Sequence, residues 1–161
     1  MANTLDLTSN FPEVLDVLEQ VLKRVSDLSE PMASIAAVLE SASEQAFSDE
    51  ADPATGENWT ALSDLTLALR PQRQGGMILQ DSTSLASSVT TEAGADFAQI
   101  GTNVPYATTM FFGANQGAFG KNSRGHPLPW GDIPARPYLG VGDEDKADIL
   151  DILEAEILSA L

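Results

Sequence analysis

The sequence predicts a small α+β domain, in which a mainly antiparallel β-sheet is flanked by N-terminal helices and a C-terminal helix. Apolar residues recur every three to four positions near both ends of the chain, as they do along helices. In the middle, from residue 77, Thr, Val, Ile and Phe become frequent and partly alternate, which is typical of strands. The length of 161 residues suits a single domain, residues 1–161, with one modest core.

The N-terminal part predicts two helices. Residues 12–28 place eight Val and Leu side chains at helical spacing, and Pro12 suits a first turn. Ser29 is expected to cap a second helix, which has Pro31 in its first turn and continues to about Phe47. The alternative is one long helix with a kink at Pro31.

The middle of the chain predicts a short helix and a hairpin. After an acidic loop at residues 48–58, Ser63 can cap a short helix that ends before Pro71. The turn signal "EAGAD" separates two strand-like runs, so we expect residues 86–92 to pair with residues 96–102.

The C-terminal third predicts a long loop, an extended segment and a final helix. Residues 113–132 hold five glycines and two prolines, and we expect this loop to be mobile in isolation and ordered by a partner. "IPARPYLG" is expected to be extended, and residues 144–160 to be helical. The predicted core positions of that helix are Leu150, Leu153, Ile157 and Leu161.

The charge distribution disfavours a nucleic-acid-binding regulator. The net charge is −16, with −10 in residues 1–57, zero in residues 58–140 and −6 in residues 141–161. Binding to phosphates needs the opposite sign. The acidic ends are either solvated helix faces or a negative surface that repels DNA or meets a basic partner. No run of apolar residues is long enough to span a membrane, and the N-terminus does not resemble a signal peptide.

No residues predict an active site, a cofactor site or a metal site. The chain has no cysteine and one histidine, His126, which lies in the glycine-rich loop without a metal-ligand spacing around it. Gly120 and Lys121 resemble part of a phosphate-binding loop, but Asn115 and Asn122 stand where that motif needs Gly and Ser or Thr. A small hydrolase is therefore a remote alternative, and we expect a protein that is not an enzyme.

Four segments in order resemble a known family. They are "WTALSDLT", "ILQDSTSLASSV", "IGTNVPYATTMFFG" and "IPARPYLG". Their order is similar to that in the phage virion morphogenesis family, the tail completion proteins of Mu-like and P2-like bacteriophages. Ser84 stands where the family usually has Gly, and Tyr138 where it usually has Phe.

The resemblance implies a structural virion protein of the head–tail junction, without catalytic residues. Such a tail completion or terminator subunit would form a hexameric ring that ends the tail tube and joins the tail to the head. Its partners would be other copies of itself, the tail tube protein and a head–tail connector or stopper protein. DNA would pass through the channel without sequence-specific binding. The protein would lie in the virion neck, and in the host cytoplasm during assembly. The alternative within this class is a head-side connector.

The segment "IPARPYLG" and the glycine-rich loop supply the predicted interface residues. Pro134 and Pro137 hold the chain extended, which reduces the entropy lost on docking. The planar fork of Arg136 then pairs either with a carboxylate of a neighbouring subunit, or internally with Asp143 or Glu144. The full predicted interface set is Arg136, Pro134, Pro137, Tyr138, Phe119, Trp130 and Phe112.

Overall fold

Helices and one small sheet make up the fold. The computed structural model describes residues 11–25 and 27–159. Within those ranges it contains five α-helices and two antiparallel strands, so the predicted α+β class is confirmed. The elements in chain order are α1 (Phe11–Val25), α2 (Ser29–Asp49), α3 (Asp64–Leu69), β1 (Thr90–Ala93), β2 (Ala98–Gly101), α4 (Ala107–Phe112) and α5 (Asp143–Leu158).

The predicted hairpin is present, with shorter strands. Thr91 of β1 lies opposite Ile100 of β2, and the turn is closed by the Gly94 N–H, which donates to the Phe97 carbonyl at 2.8 Å. The first strand begins at Thr90 because Ala86–Ser88 form a turn of 3₁₀-helix. Both strands pack against α2.

The two N-terminal helices are separate, so the alternative of one long helix kinked at Pro31 is wrong. The first helix ends at Val25, and the second begins at Ser29 with Pro31 in its first turn. Ser29 is not the cap. Instead, the Asp27 carboxylate accepts hydrogen bonds from the Ser29 N–H at 3.1 Å and from Ser29 Oγ at 2.6 Å. These bonds hold the pKa of Asp27 below its usual value.

The core is built around aromatic rings from distant parts of the chain. Phe47 of α2 lies between Tyr138 and Trp59, with ring centres 5.3 Å and 5.8 Å apart. Trp59 Nε1 donates to the Pro137 carbonyl at 2.7 Å, so the buried indole has its hydrogen-bond partner. Leu85 completes the centre of this cluster.

The last helix packs against α2 and α1. It begins after Gly142, whose N–H donates to the Asp145 carboxylate at 2.7 Å. Leu153 is half-buried, but Leu150 is 65% exposed and Ile157 is also exposed, so their predicted core positions are wrong. The fourth predicted position, Leu161, lies outside the described residues. No helix in the described ranges is long and apolar enough to cross a membrane.

Candidate assembly surface

The predicted glycine-rich loop is a hairpin-like arm, which we define as residues 113–133. At its base, Ala114 and Ile133 exchange two backbone hydrogen bonds of 2.9 Å and 2.7 Å. Further out, the Phe119 N–H donates to the Leu128 carbonyl at 2.7 Å. A second bridge pairs Lys121 with Pro127 near the tip. This backbone pairing, by which the two sides of the arm hold each other, was not predicted from the sequence.

Gly113 sets the direction of the arm where it leaves α4. Its φ of +74° lies in the region that favours glycine. A Cβ atom at this position would lie 2.5 Å from the Ile133 carbonyl oxygen and 2.8 Å from the Ala135 nitrogen. Just beyond the arm, the Arg136 N–H donates to the Met110 carbonyl at 2.9 Å. The base of the arm is therefore tied to α4 on both sides.

One side of the arm exposes large apolar side chains next to α3. Ser63 caps α3 as predicted, since its Oγ accepts from the Thr66 N–H at 3.2 Å. Trp130 is 59% exposed and borders an open groove of about 380 Å³ between the arm and α3. We define the arm face as the four exposed apolar residues that line this groove, Leu65, Leu69, Leu128 and Trp130.

The arm is also basic in an otherwise acidic protein. It carries Lys121 and Arg124, with His126 near its tip, and one acid, Asp132, at its base. Neither Lys121 nor Arg124 takes part in an ion pair within the described chain. Both cations are exposed and free to meet an acidic partner.

Arg136 is 6% exposed and binds backbone oxygens of its own chain. Its Nε and Nη2 both donate to the Thr60 carbonyl, at 3.0 Å and 2.8 Å. The expected internal ion pair with Asp143 or Glu144 is wrong for the described structure, in which Asp143 pairs with Lys146 at 2.9 Å. Burial lowers the pKa of the Arg136 guanidinium. This side chain fastens the extended segment to the residues that precede α3.

Tyr138 is 1% exposed and lies in the aromatic core. It contacts Phe47 and, edge to face, Phe111 at 5.6 Å between ring centres. Burial is the main cause that raises the pKa of its phenol. Pro134 and Pro137 flank Arg136 and are half-buried. Four of the seven predicted interface residues thus form a buried segment, with contacts inside the subunit.

The other three predicted interface residues are exposed. Trp130 belongs to the arm face, and Phe119 is exposed elsewhere on the arm, whereas Phe112 lies at the end of α4 and is 72% exposed. The Phe112 ring packs edge to face on Phe111 at 4.7 Å. The structure therefore places Phe119 and Trp130 on the arm and leaves Phe112 beside a different groove, which Val104 also lines.

A second apolar surface on α1 was not recognised in the sequence. Phe11, Leu15, Leu18 and Leu22 follow one another along one side of the helix, and each is between 52% and 70% exposed. We call these four residues the α1 stripe. The helical spacing predicted an amphipathic helix, but it did not reveal that the other described residues leave this side of the helix exposed. In the part of the chain that the structure covers, no cluster of side chains could hold a metal ion.

The comparisons with known proteins agree with the family resemblance of the four sequence segments. No solved structure matches the chain. The putative capsid assembly protein G of Escherichia phage Mu is 39% identical over 130 residues, which cover 79% of this chain and 78% of that protein. The Mu-like prophage FluMu G protein 2 of Haemophilus influenzae is 34% identical over 146 residues, covering 91% and 90%. The model of the phage virion morphogenesis family matches residues 9–158, so the chain belongs to this family and is a structural or assembly protein of a bacteriophage.

Proposed function

We propose that this protein is a tail completion subunit that works at the head–tail junction of the virion. It forms a hexameric ring that ends the tail tube and joins the tail to the head. The observation that carries this proposal is the exposed arm face, found in a chain whose family builds phage particles.

The exposure of the arm face supports a role in assembly. Four large apolar side chains of the arm face line a groove that the described residues leave open. Contiguous apolar surface of this kind marks an interaction site, because leaving it in water costs free energy. Trp130 and Phe119 are the kind of rigid aromatic side chains that anchor protein interfaces. The virion supplies the partners, namely other copies of the chain, the tail tube protein and a connector or stopper protein.

The charge of the chain supports a position around DNA without binding to it. A net charge of −16 repels the phosphate backbone. DNA then passes through the ring without being held there, and no base-specific contact is needed. In this proposal the protein assembles in the host cytoplasm and remains in the neck of the virion.

A second candidate is a connector on the head side of the junction. It is favoured by the name of the Mu relative, a putative capsid assembly protein. Both roles use the same kind of exposed surface, and they differ in which half of the particle fails without the protein.

The test is a phage that lacks this gene, with its lysate examined by electron microscopy. Filled heads beside separate tails of normal length indicate that the protein joins the two. Tails of uncontrolled length indicate that it stops polymerisation of the tube. Defective or empty heads beside normal tails favour the head-side connector. Intact, infectious particles contradict both candidates, and complementation with the wild-type gene is the control.

A further inference from the structure

We propose that the arm of one subunit docks on the α1 stripe of the next copy of the chain. This inference rests on the proposed ring and names the two surfaces that hold it together. Both surfaces expose large apolar side chains that the described residues leave uncovered. Burying them against each other removes both from water, which is the main driving force of association between subunits.

The charges of the two surfaces are complementary. The first three turns of α1 contain the acids Glu13, Asp16 and Glu19, and the two bases of the helix, Lys23 and Arg24, follow in its last turn. Asp16 and Glu19 are exposed, and each directly follows a stripe residue in sequence, which places it about 100° further around the helix. The arm brings Lys121 and Arg124, which form no ion pair in the described part of their own chain. The two cations of the arm therefore fit the acidic first three turns of the helix.

Charge also disfavours parallel pairing of the α1 stripe with itself, because Glu13, Asp16 and Glu19 of two copies would then lie close together. The arm instead combines exposed apolar side chains with two exposed cations.

The two surfaces lie on different parts of the subunit, so each copy can use both at once. The first helix packs against α5, whereas the arm lies beside α3. A contact that joins two different faces is head-to-tail, and it repeats from copy to copy until it closes into a ring. This geometry is the one that a ring of identical subunits needs.

The experiment is a charge swap followed by sedimentation velocity. The arm variant carries Lys121→Glu and Arg124→Glu, and the helix variant carries Asp16→Lys and Glu19→Lys. Each variant alone places like charges at every contact, so we expect its self-association to be at least about tenfold weaker than that of the wild type. Mixed in equal amounts, the two variants restore opposite charges at both kinds of contact. We therefore expect the mixture to form a closed oligomer in which they alternate.

The matched control is Glu40→Lys with Glu44→Lys, which reverses two exposed acids on α2 and should leave self-association unchanged. Circular dichroism of each variant checks that the fold is intact. The inference is overturned if the arm and helix variants associate like the wild type, or if mixing them restores nothing.

The outcome separates this inference from the proposed function. If the wild-type chain stays monomeric at every concentration, the arm–stripe contact does not drive self-association and this inference is overturned. The proposed function then still holds for a ring that assembles only on the tail tube. The opposite outcome is also distinguishable. If the chain self-associates through these surfaces but a phage without the gene forms normal particles, the arm–stripe contact is supported and the role in tail completion is overturned.

Discussion

The arm and the segment that follows it both contain aromatic and cationic side chains, in opposite surroundings. The arm, residues 113–133, exposes Phe119 and Trp130 and leaves Lys121 and Arg124 unpaired in the described structure. In residues 134–139, Tyr138 is buried against other aromatic rings, and Arg136 is buried and hydrogen-bonded to the Thr60 carbonyl. The comparison separates residues that hold the fold together from residues that are available to partners.

The largest effect is expected from removing the buried ring of Tyr138. Tyr138→Ala empties a site between Phe47 and Phe111, and we expect it to lower the free energy of unfolding by about 3–5 kcal/mol. Urea denaturation measures this change. Tyr138→Phe keeps the ring and should cost less than about 1.5 kcal/mol. Equal losses for the two variants would mean that the hydroxyl, rather than the packing of the ring, stabilises the core.

A smaller loss is expected from Arg136→Ala, about 2–3 kcal/mol in the same assay. The substitution removes two donors from the Thr60 carbonyl and leaves that oxygen without them. Arg136→Lys keeps the charge but cannot present two donors in a fork, so it should recover only part of the loss. An Arg136→Ala variant as stable as the wild type, but unable to assemble, would place this residue in an intersubunit contact after all.

Trp130→Ala should show the opposite pattern. Because the side chain is exposed, the free energy of unfolding should change by less than about 0.5 kcal/mol. Association with other copies should weaken by about 2 kcal/mol, roughly 30-fold, since a large aromatic anchor is lost. Sedimentation of the variant beside the wild type measures this change. Unchanged association would remove the arm face from the list of assembly surfaces.

The smallest effect is expected at the base of the arm, where the two regions meet. Gly113→Ala places a Cβ atom on a residue whose φ is +74°, and this atom clashes with the Ile133 carbonyl. Gly125→Ala has a similar φ of +80° and no atom within 4 Å of the new Cβ. Gly113→Ala should therefore be less stable than Gly125→Ala by about 1 kcal/mol or more, because overpacking costs about that much. Equal free energies of unfolding for the two variants would mean that the backbone at the base of the arm shifts to accommodate the extra methyl group.

Local patterns were sufficient to predict four of the five described helices and the hairpin, but not α4. Helical spacing, the Ser63 cap and the "EAGAD" turn are properties of neighbouring residues, so they are visible in the sequence. The same local rules failed for Ser29, which is the first residue of α2 and donates its N–H to the Asp27 carboxylate. They also missed the backbone pairing of the arm, in which residues as far apart as Ala114 and Ile133 are joined.

The surroundings of individual side chains could not be predicted in this way. The partner of Arg136 is a backbone carbonyl 76 residues away, and nothing in the sequence near either residue indicates it. Leu150 and the α1 stripe follow the spacing of core residues, but the small core leaves them exposed. Periodicity shows that a helix has an apolar side. It does not show whether that side meets the same chain or another copy.

The role of the arm face in assembly is tested most directly by electron microscopy of a lysate from phage that carry Trp130→Ala. If the arm face joins this protein to its partners, the variant protein is soluble and folded, but the particles fail at the junction. They are then seen either as separate heads and tails or as tails of abnormal length. Intact, infectious virions in normal numbers would contradict the claim that the arm face joins this protein to its partners.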